Sequence, residues 1–106
     1  MKKISLALLL ILQTAICFPQ QISFKGEKTW LDGNLYRIQV GAYTNPANAQ
    51  RAFTLLKNGG LNPQYGEDRR LRRVMLNRVK ARDIPAVIDK LKVMGFREVW
   101  ITSENG

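Results

Sequence analysis

The chain has 106 residues, no His and one Cys, which is room for one small domain. With no His and a lone Cys, zinc sites, Cys–His catalysis and His acid–base chemistry drop out. The 17 Lys and Arg against 8 Asp and Glu give a formal net charge of +9, which points to an anionic partner: nucleic acid, a membrane surface or an acidic polymer.

Met1-Lys2-Lys3 is a short positive region, and Ile4 to Leu12 is an apolar run. Ala15 and Cys17 supply small residues ahead of Phe18-Pro19. This is the layout of a secretory signal peptide over residues 1–17, too short for a comfortable membrane span. The expected destination is the periplasm or exported envelope. Membrane attachment through an uncleaved signal or a lipidated Cys17 is the alternative; Thr14 and Ile16 stand where a lipoprotein signal has Leu and a small residue. Without Lys2 and Lys3 the balance is 15 basic against 8 acidic residues, a net of +7.

Residues 18–34 read as a linker, polar and turn-forming apart from Trp30-Leu31, a pair expected to pack on the domain edge. Leu35 to Gly41 is the first strand: Tyr36, Ile38 and Val40 face one way, Arg37 and Gln39 the other. A helix follows, with Thr44 or Asn45 as N-cap, Pro46 at its first position and Ala49, Ala52, Phe53 and Leu56 as its stripe. Asn58-Gly59-Gly60 ends it. Leu61 to Glu67 is a second strand, kept to an edge by Pro63. Leu71 to Val79 is a third, with Val74 and Leu76 inward and Arg73, Met75 and Asn77 outward. Asp83 is expected to cap a second helix with the stripe Ile84, Val87, Ile88 and Leu91. Gly95 stops that helix, Phe96 to Thr102 is the last strand, and residues 103–106 are a tail. Trp100 falls outward between Val99 and Ile101, although a slip of one residue would bury it.

The order is β-α-β-β-α-β, and the chain repeats itself. Arg37-Ile38-Gln39-Val40 resembles Arg73-Val74-Met75-Leu76, and Leu56-Lys57-Asn58-Gly59-Gly60-Leu61 resembles Leu91-Lys92-Val93-Met94-Gly95-Phe96. Two such halves predict an α+β fold of ferredoxin-like type, a four-stranded antiparallel sheet with both helices on one face. The other face, bearing Arg37, Gln39, Arg73 and Met75, is left open. Arg offers a planar fork of donors to carboxylates or phosphates, and Gln can serve an acetamide or hydroxyl.

Tyr36 to Tyr43, the Asn48-Ala49-Gln50 helix start, the Leu56-Lys57-x-x-Gly repeat and the Gly95-Phe96 entry to the last strand resemble a SPOR domain. The resemblance covers about residues 34–102, with the domain itself expected over 35–102. It implies a bacterial envelope and cell-division module that binds peptidoglycan at septal glycan strands stripped of stem peptides. Site residues implied by position are Gln39, Ala42 and Arg72, with Arg37, Tyr43, Arg73 and Met75 as neighbours. No cofactor or metal is implied, and a monomer is expected. This chain has Asn77-Arg78-Val79 where the family has a Gly-Pro-aromatic loop, and no aromatic beside Arg72. A charge-dominated grip that weakens with salt follows from that departure.

Three other readings compete. RNA-recognition modules share the element order, but they stack bases on paired aromatics where this chain has Arg37, Gln39, Arg73 and Met75. With a signal peptide, nucleic acid is not the expected partner. An enzyme would need an acid–base or nucleophile–base spacing, and Glu67-Asp68 beside Arg69-Arg70 reads as a charge-balanced turn. The third reading is an envelope protein–protein interaction domain on the same fold.

Overall fold

Tyr36, Ile38 and Val40 are buried, and Arg37 between them is exposed, so the expected central strand has one face in the core. The computed structural model describes residues 22–104. The expected signal peptide and Cys17 lie outside them. The elements run β1 (Ser23–Gly26), β2 (Leu35–Tyr43), α1 (Pro46–Asn58), β3 (Pro63–Asp68), β4 (Leu71–Lys80), a 3-10 turn (Ala81–Asp83), α2 (Ile84–Met94) and β5 (Glu98–Ser103). The sheet order is β1-β5-β2-β4-β3. The four strands of the two halves pair antiparallel, as expected, and β3 with Pro63 is an edge.

The fifth strand corrects the linker expected over 18–34. Ser23–Gly26 adds to β5 in parallel, so the sheet is mixed. Four residues of mainly exposed character give no alternation to detect, and the pairing partner is far away in sequence. The rest of the stretch is also tied down. Trp30 packs against the core and lies 5.9 Å from the Phe24 ring, as expected of a residue at the domain edge. The Tyr36 hydroxyl accepts from the Leu31 amide at 2.8 Å, whereas the Leu31 side chain is exposed.

Both helices lie on the Tyr36 face. Ala49, Ala52 and Leu56 from α1 and Ile84, Ile88 and Leu91 from α2 are buried against Val74, Leu76, Val99 and Ile101. Phe53 and Val87, expected in the stripes, are half-buried at their margins. Asn45 caps α1 by accepting from the Ala47 amide at 2.8 Å, with Pro46 in the first turn. Asp83 makes no such cap; a 3-10 turn leads the chain into α2 instead.

The repeat is visible in the helix ends. Leu61 donates to the Leu56 carbonyl and Gly60 to Lys57, while Phe96 donates to Leu91 and Gly95 to Lys92. Gly60 (φ 87°) and Gly95 (φ 98°) hold the left-handed turn in each. The two halves therefore close their helices by the same 6→1 and 5→2 pair of bonds.

Two bulges interrupt the β2–β4 ladder. Between Tyr36 and Ile38 the partner jumps from Val79 to Leu76, an extra residue on β4. Arg78 takes φ 55° there, and its amide donates to the Glu104 carboxylate at 2.9 Å. Between Gln39 and Gly41 the partner moves only from Met75 to Val74, an extra residue on β2. Each bulge offsets the side-chain alternation beyond it.

Gly26 tests the added strand. It sits at φ 87°, and a Cβ there would collide with the Ile101 carbonyl oxygen. Gly26→Ala should cost about 1–3 kcal/mol in thermal unfolding. Hydrogen exchange should accelerate at the β5 amides and not at those of β4.

Candidate functional site

The open face is built by alternate residues of three neighbouring strands. Register places Arg37 beside Thr102 and Gln39 between Trp100 and Met75. Arg37, Gln39, Arg73, Trp100 and Thr102 line a depression of about 430 Å³. Trp100 lies outward as the alternation predicts, 48% exposed, with Val99 and Ile101 fully buried behind it. Arg37 is steadied by Asn77, whose Oδ1 accepts from its Nε at 3.0 Å.

Arg73 holds the feature with the most chemical content. Its Nε is buried and has no hydrogen-bond partner among the described residues. Small cross-strand neighbours explain how it gets there: Arg73 pairs with Ala42 on one side and Gly66 on the other. An added Cβ at Gly66 would stand 3.8 Å from Arg73 Nε and 2.6 Å from the Met75 methyl. A guanidinium and a thioether thus share the space over one bare glycine. A buried donor left unpaired costs about 1–3 kcal/mol, which an anion or carbonyl placed beside it would recover.

Met75 lies outward in register, yet only 7% of it is exposed. It folds over Gly66 between Gln39 and Gln64 and offers no apolar surface to a ligand. Trp100 is the large apolar surface on this face instead.

The bulge at Val40–Gly41 divides the remaining residues singled out in the sequence. Beyond it Ala42 pairs with Arg73 and faces outward. Tyr43 pairs with Arg72 and turns to the helix side, where it packs against the core and lines a cleft with Ala52, Leu55 and Phe96. Arg72 follows it. Its Nε donates to Glu67 at 2.9 Å, and its guanidinium sits 4.9 Å over the Tyr65 ring. Tyr65 in turn stacks on Phe53 at 4.4 Å. Arg37, Gln39, Ala42 and Arg73 therefore share the open face, while Arg72 and Tyr43 are on the other side of the sheet.

The β2–β5 ladder ends at Gln39 and Trp100. Past that point β2 and the approach to β5 separate around a cleft of about 420 Å³, lined by residues 39–43 and 95–100. The cleft adjoins the open face at Gln39 and Trp100 and extends its groove. Among the described residues no cluster of three or more His, Cys, Asp or Glu could hold a metal ion.

The SPOR domain profile matches residues 20–66 and 32–102, the second match alone covering most of the chain. The chain belongs to the SPOR domain family. Its fold is similar to the solution structure of the peptidoglycan-binding domain of the B. subtilis cell wall lytic enzyme CwlC, with a TM-score of 0.57 and 20% identity. That likeness covers 74% of this chain and 99% of the other. No curated protein sequence matches.

Two measurements check the division between faces. Burial raises the Tyr43 hydroxyl above the ordinary 10.0. The neutral phenol is the form the fold favours, so stability is full below pH 10.0 and is lost as pH rises through the raised value. In an ultraviolet titration, the phenolate step that disappears in Tyr43→Phe should lie above pH 10.0. Arg72→Ala removes an exposed ion pair and a ring contact, together about 0.5–1 kcal/mol. Its thermal midpoint should fall slightly, with no change in the fluorescence maximum of the two tryptophans, Trp30 and Trp100.

Proposed function

We propose that the open sheet face binds peptidoglycan glycan strands without catalysis, and that the chain is an exported envelope module directed to septal strands stripped of stem peptides. The observation that carries this reading is Arg73, whose buried Nε has no partner among the described residues, lining an open groove with Trp100 and Gln39. Membership in a family of binding modules supports it. So does the fold shared with a domain described as peptidoglycan-binding.

The chemistry of the face suits such a polymer. Removing a stem peptide from muramic acid frees the lactyl carboxylate, so a stripped strand carries regularly spaced anions. Arg73 and Arg37 can take a carboxylate with charge-assisted hydrogen bonds of about twice the strength of neutral ones. Gln39 can both donate to and accept from an acetamide. The indole of Trp100 offers an apolar plate to the C–H face of a sugar ring. A strand still bearing its peptides would present an amide where the carboxylate should be, leaving Arg73 without its counterion. The signal-peptide layout over residues 1–17 fits delivery to the wall.

Sacculus pull-down tests the reading. Binding should rise when sacculi are treated with an amidase that strips stem peptides. It should fall at least about tenfold for Gln39→Ala with Arg73→Ala, the loss expected for two polar contacts. Arg72→Ala should bind as the parent does. Equal weak binding to treated and untreated sacculi, removed by modest salt, would reduce the interaction to nonspecific charge and overturn the proposal.

A further inference from the structure

The opposite surface, formed by the two helices, carries an apolar patch that the fold itself does not require. Val93 near the end of α2 is 87% exposed and Leu55 on α1 is 43% exposed. Two shallow clefts join them. One is lined by Leu55, Arg51 and Met94, the other by Val93, Asp89, Lys90 and Met94, with Met94 common to both. The Met94 methyl occupies the place that a side chain on Gly59 would take, so the floor of the patch is set by that glycine.

The internal repeat supplies a control. Val93 is the counterpart of Asn58, two positions before the left-handed glycine in each half. Both halves close their helices with the same bonds, and one does so with an amide side chain at this position. An outward valine is therefore not a demand of the cap.

Charge and chain path indicate what covers it. Among acids and bases α1 carries Arg51 and Lys57 and no acid, and α2 carries Lys90 and Lys92 against Asp89. The chain also enters the fold at this corner. Ser23 donates to the Arg97 carbonyl at 2.8 Å, next to Phe96 of the first cleft. The sequence leading to that point contains the apolar run Ile4 to Leu12. We infer that the helix surface around Val93 and Leu55 rests on an anionic lipid bilayer. Val93 and Leu55 enter the headgroup region, and Arg51 and Lys90 beside them meet lipid phosphates. This leaves the sheet face turned away from the membrane, and it stands independently of what that face binds.

Site-directed spin labels read the orientation directly. The full chain, with Cys17→Ser, is labelled singly at Val93→Cys, at Leu55→Cys or at Gln64→Cys on the sheet side. It is mixed with phosphatidylcholine vesicles containing about 30% phosphatidylglycerol, an anionic surface of the kind basic segments seek. The ratio of accessibility to oxygen over a water-soluble nickel complex should rise at 93 and 55 and stay unchanged at 64. On pure phosphatidylcholine the rise should shrink. Because each label reports its own surroundings, the result does not depend on how residues 1–21 hold the chain. An unchanged ratio at 93 in vesicle-bound protein would overturn the inference and leave the patch to a protein partner. An equal rise at 64 would overturn it as well.

Discussion

One extra residue in β2 decides what this domain presents to its surroundings. Up to Gln39 the strand alternates strictly, with Tyr36, Ile38 and Val40 in the core. The bulge between Gln39 and Gly41 then turns Ala42 outward beside Arg73 and sends Tyr43 to the helices beside Arg72. The same irregularity ends the β2–β5 ladder and opens the cleft that runs from the sheet face past Gln39 and Trp100. A regular strand would place the Tyr43 ring on the open face.

The two arginines next to one another on β4 show how far a one-residue step separates their environments. Arg72 is held by Glu67 and the Tyr65 ring, which rests on Phe53 of α1. Its Nε is paired within the domain. Arg73 lies over Gly66 and against Ala42, with a buried Nε that nothing in the described residues accepts. Arg73 is the one of the two on the open face, and the glycine that makes room for it also lets Met75 fold away from solvent. The family resemblance names both arginines, and of the two only Arg73 keeps a buried donor unpaired among the described residues.

Most of the architecture is legible in the sequence because its signals are local and repeated. The alternation around Ile38, the stripes ending in Leu56 and Leu91, and the Gly60 and Gly95 caps each identify an element by short-range pattern. β1 escapes that reading, since Ser23–Gly26 is too short and polar to show a period and gains its pairing from β5, distant in sequence. The faces of Ala42, Tyr43 and Arg72 escape it for another reason. Period-two reasoning carries a strand's phase forward until something breaks it, and no residue type around Val40–Gly41 announces an inserted position. Arg78, at φ 55° with its amide on Glu104, is equally silent. Met75 lies on the face its alternation predicts, but its rotation over Gly66 depends on a residue in another strand.

The central claim is that Arg73 and Trp100, on the sheet side, meet a carboxylate-bearing glycan. The most direct test is a nitrogen-edited proton NMR titration of the full chain with soluble glycan fragments lacking stem peptides. The Arg73 Nε–H signal should move downfield as it gains its acceptor, together with the Trp100 indole N–H. The signals of Arg72 and the backbone amides of α1 and α2 should stay in place. Shifts confined to Arg72 or to the helices, with Arg73 and Trp100 unmoved, would contradict the account.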